Sequence, residues 1–260
     1  MDTTERTIGV VGEAFPLRPG VLMPDWSLVT EATAHEALAA SMIAAQRSEK
    51  LSGLNAAEDL IWRTILLAFA RSVAVPDVAW LVARTDLDEA LVAEILRALR
   101  RRDLVVLDDR GMAVQAAYPF SAQETVHRVH LAGAGAVHAL CAIDALGMGA
   151  MLACNTAIES SCPECGTPIR IATCDDGHAL ASVTPGTAVV WAGIRYADGC
   201  GATSGCTVKL FSCSDEHLTA WRQRVDPQGA GFRLPVEAAL QVGKGLFVPM
   251  LAAQPDGGEA

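Results

Sequence analysis

Ten residues near the middle of the chain set reactive groups in an apolar background: His138-Ala-Leu-Cys141-Ala-Ile-Asp144-Ala-Leu-Gly147. If the segment is helical, a thiol and a carboxyl three residues apart share one face. Burial there would raise the carboxyl pKa and keep a proton available near neutral pH, while the thiol could act as nucleophile or soft-metal ligand. A buried structural cysteine beside a capping Asp fits the same spacing, because free Cys is among the most buried residue types.

The other thiols extend this chemistry. All eight cysteines fall between positions 141 and 213. No basic segment followed by an apolar one opens the chain, so the expectation is a cytoplasmic protein with reduced thiols rather than a disulfide framework. Cys162-Pro-Glu-Cys165-Gly166 has the shape of a zinc-knuckle half-site. A structural zinc would need a second pair, for which Cys154, Cys174, Cys200, Cys206 and Cys213 are available without forming another CxxC; reduced turn cysteines are the alternative. Cys200-Gly-Ala-Thr-Ser-Gly-Cys206 is a Gly-rich loop ahead of a strand candidate. Should Cys206 or Cys200 approach Cys141, two thiolates and a carboxylate would converge, a donor set for a soft cation rather than Mg²⁺ or Ca²⁺.

Composition narrows the classes. With 260 residues, 51% of them hydrophobic, the chain can bury a sizeable core in one large domain or two small ones. A net charge of −10 argues against nucleic acid as the main partner. No charge-free apolar run reaches membrane-span length, and the nearest, residues 129–153, is broken by Asp144 and several glycines.

These groups must be positioned by an α+β fold: a winged-helix-like helical module, then a mixed or antiparallel β-sheet domain with helices. Residues 1–54 read as an N-terminal extension, with an irregular or extended arm from Gly9 to Pro24, an Ala-rich helix from Glu31 to Arg47, and no evident chemistry. In residues 55–121, Ala57–Arg71 places Leu60, Ile61, Thr64, Leu67 and Ala68 at helical spacing. Pro76 opens a short helix to about Arg84, and Asp86 with Glu89 resembles a capping box for a third helix over 87–102. Leu104–Leu107 and Met112–Ala117 then form a hairpin, completing the winged-helix pattern. Arg97 and Arg100–Arg102 would be phosphate contacts in a DNA-binding protein; the acidic total favours a scaffold instead. In residues 122–250 the pattern predicts a strand over Val126–Leu131 and a helix over 136–153 carrying Cys141. Strands follow at Ile169–Cys174, Ala188–Ile194 and Val208–Ser212, with helices at Asp215–Arg224 and 235–242. Residues 251–260 read as a tail.

Four segments together carry a resemblance: Tyr118-Pro-Phe-Ser121, the run His138–Gly147, Ser161-Cys162 through Pro168, and Leu210-Phe211-Ser-Cys-Ser-Asp-Glu-His217 with Trp221. Over about residues 57–250 the chain resembles the alkylmercury (organomercurial) lyases. The resemblance implies protonolysis of a carbon–mercury bond in mercury detoxification, with no required cofactor. Two thiolates would bind the mercury of the organomercurial substrate, and an Asp would manage the proton delivered to the departing carbon. The products would be a hydrocarbon and bound Hg(II), passed to small thiols or to mercuric reductase. Carried over, Cys141 resembles the first catalytic cysteine and Asp144 the catalytic aspartate. Well-known members place the second cysteine in an adjacent Cys-Cys pair, whereas this chain has Gly205-Cys206. Counting back from Phe211 without gaps, Gly205 falls on the catalytic position; a one-residue shift gives the role to Cys206, and a folded-back loop would give it to Cys200. The mercury ligands expected on this basis are Cys141, Cys206 and Asp144. Two other readings stay open: a diverged member that binds Hg(II) or copper, or runs another thiol-dependent reaction, without cleaving carbon–mercury bonds, and a metal-responsive DNA-binding regulator.

Overall fold

The computed structural model describes residues 13–71 and 76–253, so Gly9–Gly12 of the arm and residues 254–260 of the tail lie outside the described residues. The rest of the arm is a hairpin, Phe15–Arg18 (β1) with Val21–Met23 (β2). Helices follow at Ala32–Ala44 (α1) and Arg47–Leu51 (α2). Ala56–Ala70 (α3) begins at a capping box: Asn55 accepts the N–H groups of Ala57 and Glu58, and the Glu58 carboxylate accepts that of Asn55. Its buried side is Ile61, Trp62, Ile65, Leu66 and Phe69, while Leu60 and Leu67, expected on the apolar stripe, are exposed. Trp62 and Phe69 are the larger apolar groups, and their burial sets the rotation of the helix.

Val78–Thr85 (α4) and Glu89–Arg101 (α5) complete the helical module. The capping box expected of Asp86 and Glu89 does not form. Asp86 ends α4 with φ 55°, and Asp88, whose backbone is extended, caps α5 by accepting the Leu91 N–H at 2.9 Å. Val105–Leu107 (β3) and Val114–Ala117 (β4) pair as the expected hairpin.

That hairpin is the end of a larger sheet. Phe120–Ser121 (β5), Arg128–Leu131 (β6) and Gly135–Ala139 (β7) extend it, and Ala142–Leu152 (α6) follows. Thr156–Ser161 (β8), Pro168–Cys174 (β9) and Ala179–Thr184 (β10) finish it, in the antiparallel order β10-β9-β8-β6-β7-β5-β4-β3. The expected boundary between the helical module and the second region, at 121/122, thus lies within one continuous sheet. Val189–Gly193 (β11), Lys209–Ser212 (β12), the helix Asp215–Val225 (α7) and Gly231–Pro235 (β13) follow, the strands forming a three-stranded sheet in the order β12-β11-β13. Val236–Leu251 (α8) closes the described chain and runs well past the expected 235–242.

The helix expected over 136–153 needs correction. Gly133 and Gly135 adopt φ 80° and 111°, a turn that L side chains disfavour and that lets Val137 pair with Val129. The ladder takes the backbone of 135–139, and the helix begins only at Ala142. This helix is central: every residue from Ala142 to Met151 is buried. It crosses α8 closely, for a Cβ on Gly147 would sit 2.4 Å from Phe247 Cδ2 and 2.8 Å from the Gly243 carbonyl oxygen. The larger hydrophobic core runs from Leu17 to Met250, and a smaller one gathers Val189, Trp191, Leu210, Leu218 and Trp221. Among the described residues no helix is long and apolar enough to cross a membrane.

Candidate active site

Cys141 is the N-cap of α6, with extended backbone (φ −153°, ψ 177°), and its sulfur accepts the Asp144 N–H at 3.5 Å. A serine commonly fills this role, and the thiol does so here. Cys141 and Asp144 therefore face one another through cap geometry, not as two interior positions of a helix.

Asp144 lies in the first turn of α6 and is buried. Burial pushes its carboxyl up to about 6; hydrogen bonding with the Cys141 and Cys206 thiols and the positive charges of Lys209 and Arg47 work in the opposite direction. Cys206 opens a short 3-10 turn, Cys206–Val208, that leads into β12. Its thiol points at Asp144 Oδ2 at 3.5 Å. Hydrogen bonding with Cys141, burial and the adjacent carboxylate all push the Cys206 thiol up, so it keeps its proton. The two sulfurs and a carboxylate oxygen lie within 4.8 Å of one another.

Of the two loop cysteines considered from sequence, the fold brings Cys206 to this pair; the Cys200 sulfur is not in the group. Position 205 is tightly packed, since a Cβ there would fall 2.9 Å from the Arg195 carbonyl oxygen and 3.4 Å from Lys209 Nζ.

A cavity of about 70 Å³ opens on these three residues. Its walls are mostly apolar, with Leu38 and Met42 from α1, Ile143 from α6, and Leu246 and Phe247 from α8. The N-terminal extension, in which the sequence revealed no chemistry, thus supplies one wall of the site. Arg47 at the start of α2 also lines it, its guanidinium 4.8 Å from the centroid of the Tyr118 ring. Its apolar walls strengthen the electrostatic coupling among the groups that face it.

Asp103, which sequence reasoning missed, positions the Cys206 loop. It is 2% exposed and accepts hydrogen bonds from the Tyr118 hydroxyl at 3.0 Å, the Tyr196 hydroxyl at 3.1 Å and the Gly201 N–H at 3.1 Å, with Arg47 at 3.9 Å. No local pattern distinguishes this Asp, which ends the Arg-rich turn after α5. Arg102 beside it is not a free phosphate contact: it donates to the carbonyls of Lys50, Ser52 and Gly53 and pairs with Glu58 at 3.8 Å. Arg97, Arg100 and Arg101 are exposed.

Residues 120–248, which contain Cys141, Asp144 and Cys206, match the family model for alkylmercury lyase. Among solved structures, the crystal structure of the mercury-bound form of MerB2 is similar, with a TM-score of 0.68 and 25% sequence identity. The match covers 79% of this chain and 97% of that one. No curated protein matches the chain. The sequence match and the shared fold agree, and the chain belongs to the alkylmercury lyase family.

Proposed function

We propose that this protein is an organomercurial lyase that cleaves the carbon–mercury bond by protonolysis. The observation that carries the reading is the convergence of Cys141, Cys206 and a buried Asp144 on one apolar cavity. The substrate arrives as an alkyl or aryl mercury bound to a small thiolate. Cys141 sulfur bonds to mercury and the small thiolate leaves, taking up the Cys141 proton. The Cys206 thiol passes its proton to Asp144, 3.5 Å away, and its sulfur becomes the second protein bond to mercury. Two thiolates push electron density onto the metal and weaken its bond to carbon. Asp144, with its carboxyl held up by burial, then delivers the proton to the carbon as that bond breaks. A hydrocarbon leaves, and Hg(II) stays on the two sulfurs beside the Asp144 carboxylate. Small thiols, or mercuric reductase as a downstream acceptor, remove it and restore both protein thiols. The protonolysis draws on no cofactor, and a thiol-rich cytoplasm suits it.

The test is headspace detection of methane or benzene from methylmercury or phenylmercury, with purified protein and excess small thiol. Release that disappears in Cys141→Ser supports the lyase; release undiminished in that variant overturns the assignment. Gly205, where well-known members carry a cysteine, favours one other reading: a family member that holds Hg(II) or copper without cleaving carbon–mercury bonds. Tight mercury binding with no hydrocarbon identifies that case.

A further inference from the structure

A second set of soft ligands lies apart from the three-residue site. The thiols of Cys162, Cys165 and Cys213 and the imidazole of His217 offer ligand atoms within 4.8 Å of one another. We propose that these four residues hold a structural Zn²⁺ ion that fastens the loop between β8 and β9 to the end of β12 and the start of α7.

The loop has the backbone of a metal knuckle. Cys162 N–H donates to the Thr167 carbonyl at 2.9 Å, Gly166 N–H donates to the Cys162 carbonyl at 2.8 Å, and Gly166 takes φ 73°. This tight turn sends both thiols of Cys162-Pro-Glu-Cys165 toward the small sheet. Cys213 directly follows β12, and His217 sits in the first turn of α7, whose N-cap Ser214 accepts the His217 N–H at 3.3 Å. The full pattern is Cys-x2-Cys followed by Cys-x3-His. A search for the second half among cysteines alone misses it, because one ligand is a histidine.

The spacing of two of the sulfurs fits a tetrahedron, and the imidazole must back away by about 0.6 Å to join them. Cys165 and Cys213 sulfurs are 3.6 Å apart, against about 3.8 Å for two thiolates each about 2.3 Å from one zinc. Cys213 Sγ lies 2.9 Å from His217 Nδ1, a thiol hydrogen bond that ligation would replace with two bonds to the metal. Three thiolates and an imidazole, with no carboxylate among them, suit Zn²⁺ and exclude Mg²⁺ or Ca²⁺. Four protein ligands close the coordination shell, which is the structural arrangement rather than the open catalytic one. Cys162 and Cys213 are buried while Cys165 is exposed, so the site has an entry path at its rim. Each ligating thiol releases its proton to solvent.

The clamp also bears on the other thiols. Cys206 stands just before β12 and Cys213 just after it, so fixing the end of this strand fixes the segment that carries Cys206.

Metal content of the full chain, purified from zinc-supplied cells under reducing conditions, tests the proposal without any substrate. The expected result is one zinc per chain, retained in the Cys141→Ser/Cys206→Ser double variant and lost in Cys162→Ser/Cys165→Ser. In case the latter fails to fold, Co²⁺ loaded into the chelator-treated wild-type chain should give thiolate-to-cobalt charge-transfer bands and tetrahedral absorption. His217→Ala should shift that absorption and weaken Co²⁺ binding at least tenfold. Wild-type protein with neither zinc nor cobalt–thiolate bands overturns the site, as does metal that persists in Cys162→Ser/Cys165→Ser. A Cys165–Cys213 disulfide found by mass spectrometry in the freshly purified chain overturns it equally.

Discussion

Asp144 sits between two thiols in an apolar cavity, and its carboxyl is raised from 3.8 to about 6 because burial disfavours the charged form. The folded protein therefore holds this proton more tightly than the unfolded chain does. The stability linked to the group is fully present below the unfolded value near pH 4, declines as pH rises toward 6, and is flat above that. Asp144→Asn removes the buried charge, so it should raise stability at pH 7 by up to about 3 kcal/mol, with the gain vanishing near pH 4. Urea denaturation at the two pH values reads this directly. The same variant should lose hydrocarbon release by about 100-fold or more, because an amide cannot deliver the proton assigned to the Asp144 carboxyl. Stabilisation without loss of turnover would remove Asp144 from the proton path. The two loop cysteines separate just as clearly. Cys206→Ser should abolish release and weaken mercury retention, whereas Cys200→Ser should leave both near wild type, measured by headspace analysis and mercury titration. The Cys-Ala-Ile-Asp segment was legible as a chemical unit from residue types alone. The partner thiol was not, because the approach of Cys206 depends on a loop held by Asp103, 98 residues from the Gly201 N–H that it accepts.

At the scale of the element, α6 delivers Cys141 and Asp144, and its position is set by its crossing with α8. Gly147 and Gly243 meet there backbone to backbone. A Cβ on Gly243 would lie 2.8 Å from Gly147 N and 3.0 Å from the Ile143 carbonyl oxygen, so Gly243→Ala should force the helices apart. The expected cost is about 1–3 kcal/mol, together with a fall in kcat/KM as the first turn of α6 moves. Thermal unfolding and hydrocarbon kinetics on the same variant measure both; an unchanged Tm would mean that the crossing yields without strain. Much of the element pattern could be read in advance. Helical spacing and turn residues located α3, α5, α7 and the β3–β4 hairpin within a few residues, while the cap of α5 is Asp88 and not the expected Asp86. The start of α6 was harder, because an apolar stretch such as Ala136–Ala142 satisfies either period, and only the glycine turn at 133–135 assigns its first part to a strand. The small strands β8, β10 and β13 are fixed by their pairing partners more than by any pattern of their own.

Over the whole molecule, segments remote in sequence build the cavity wall, and Arg18 is the tie among them. It is 5% exposed, pairs with Asp59 of α3 at 2.9 Å, and donates to the carbonyls of Pro249, Met250 and Ala252 at the end of α8. Burial lowers its pKa and Asp59 opposes that shift, so the guanidinium is held by the very groups it satisfies. Nothing in the sequence marks this arginine, because its three carbonyl partners are more than two hundred residues away. Arg18→Ala would leave those carbonyls and Asp59 without their donor at the place where β1, α3 and α8 meet. Breaking such a buried pair costs about 3–5 kcal/mol; partial exposure of Asp59 puts the expectation near the lower end. Because Leu246, Phe247 and Met250 of α8 line the cavity, the variant should also bind substrate less well, with KM rising more than kcat falls. A urea midpoint series with Arg18→Ala, Asp59→Ala and the double variant isolates the pair: coupling shows as a double variant less destabilised than the sum of the singles. Full additivity, with KM unchanged, would mean that the N-terminal hairpin rests on the molecule without holding α8 in place.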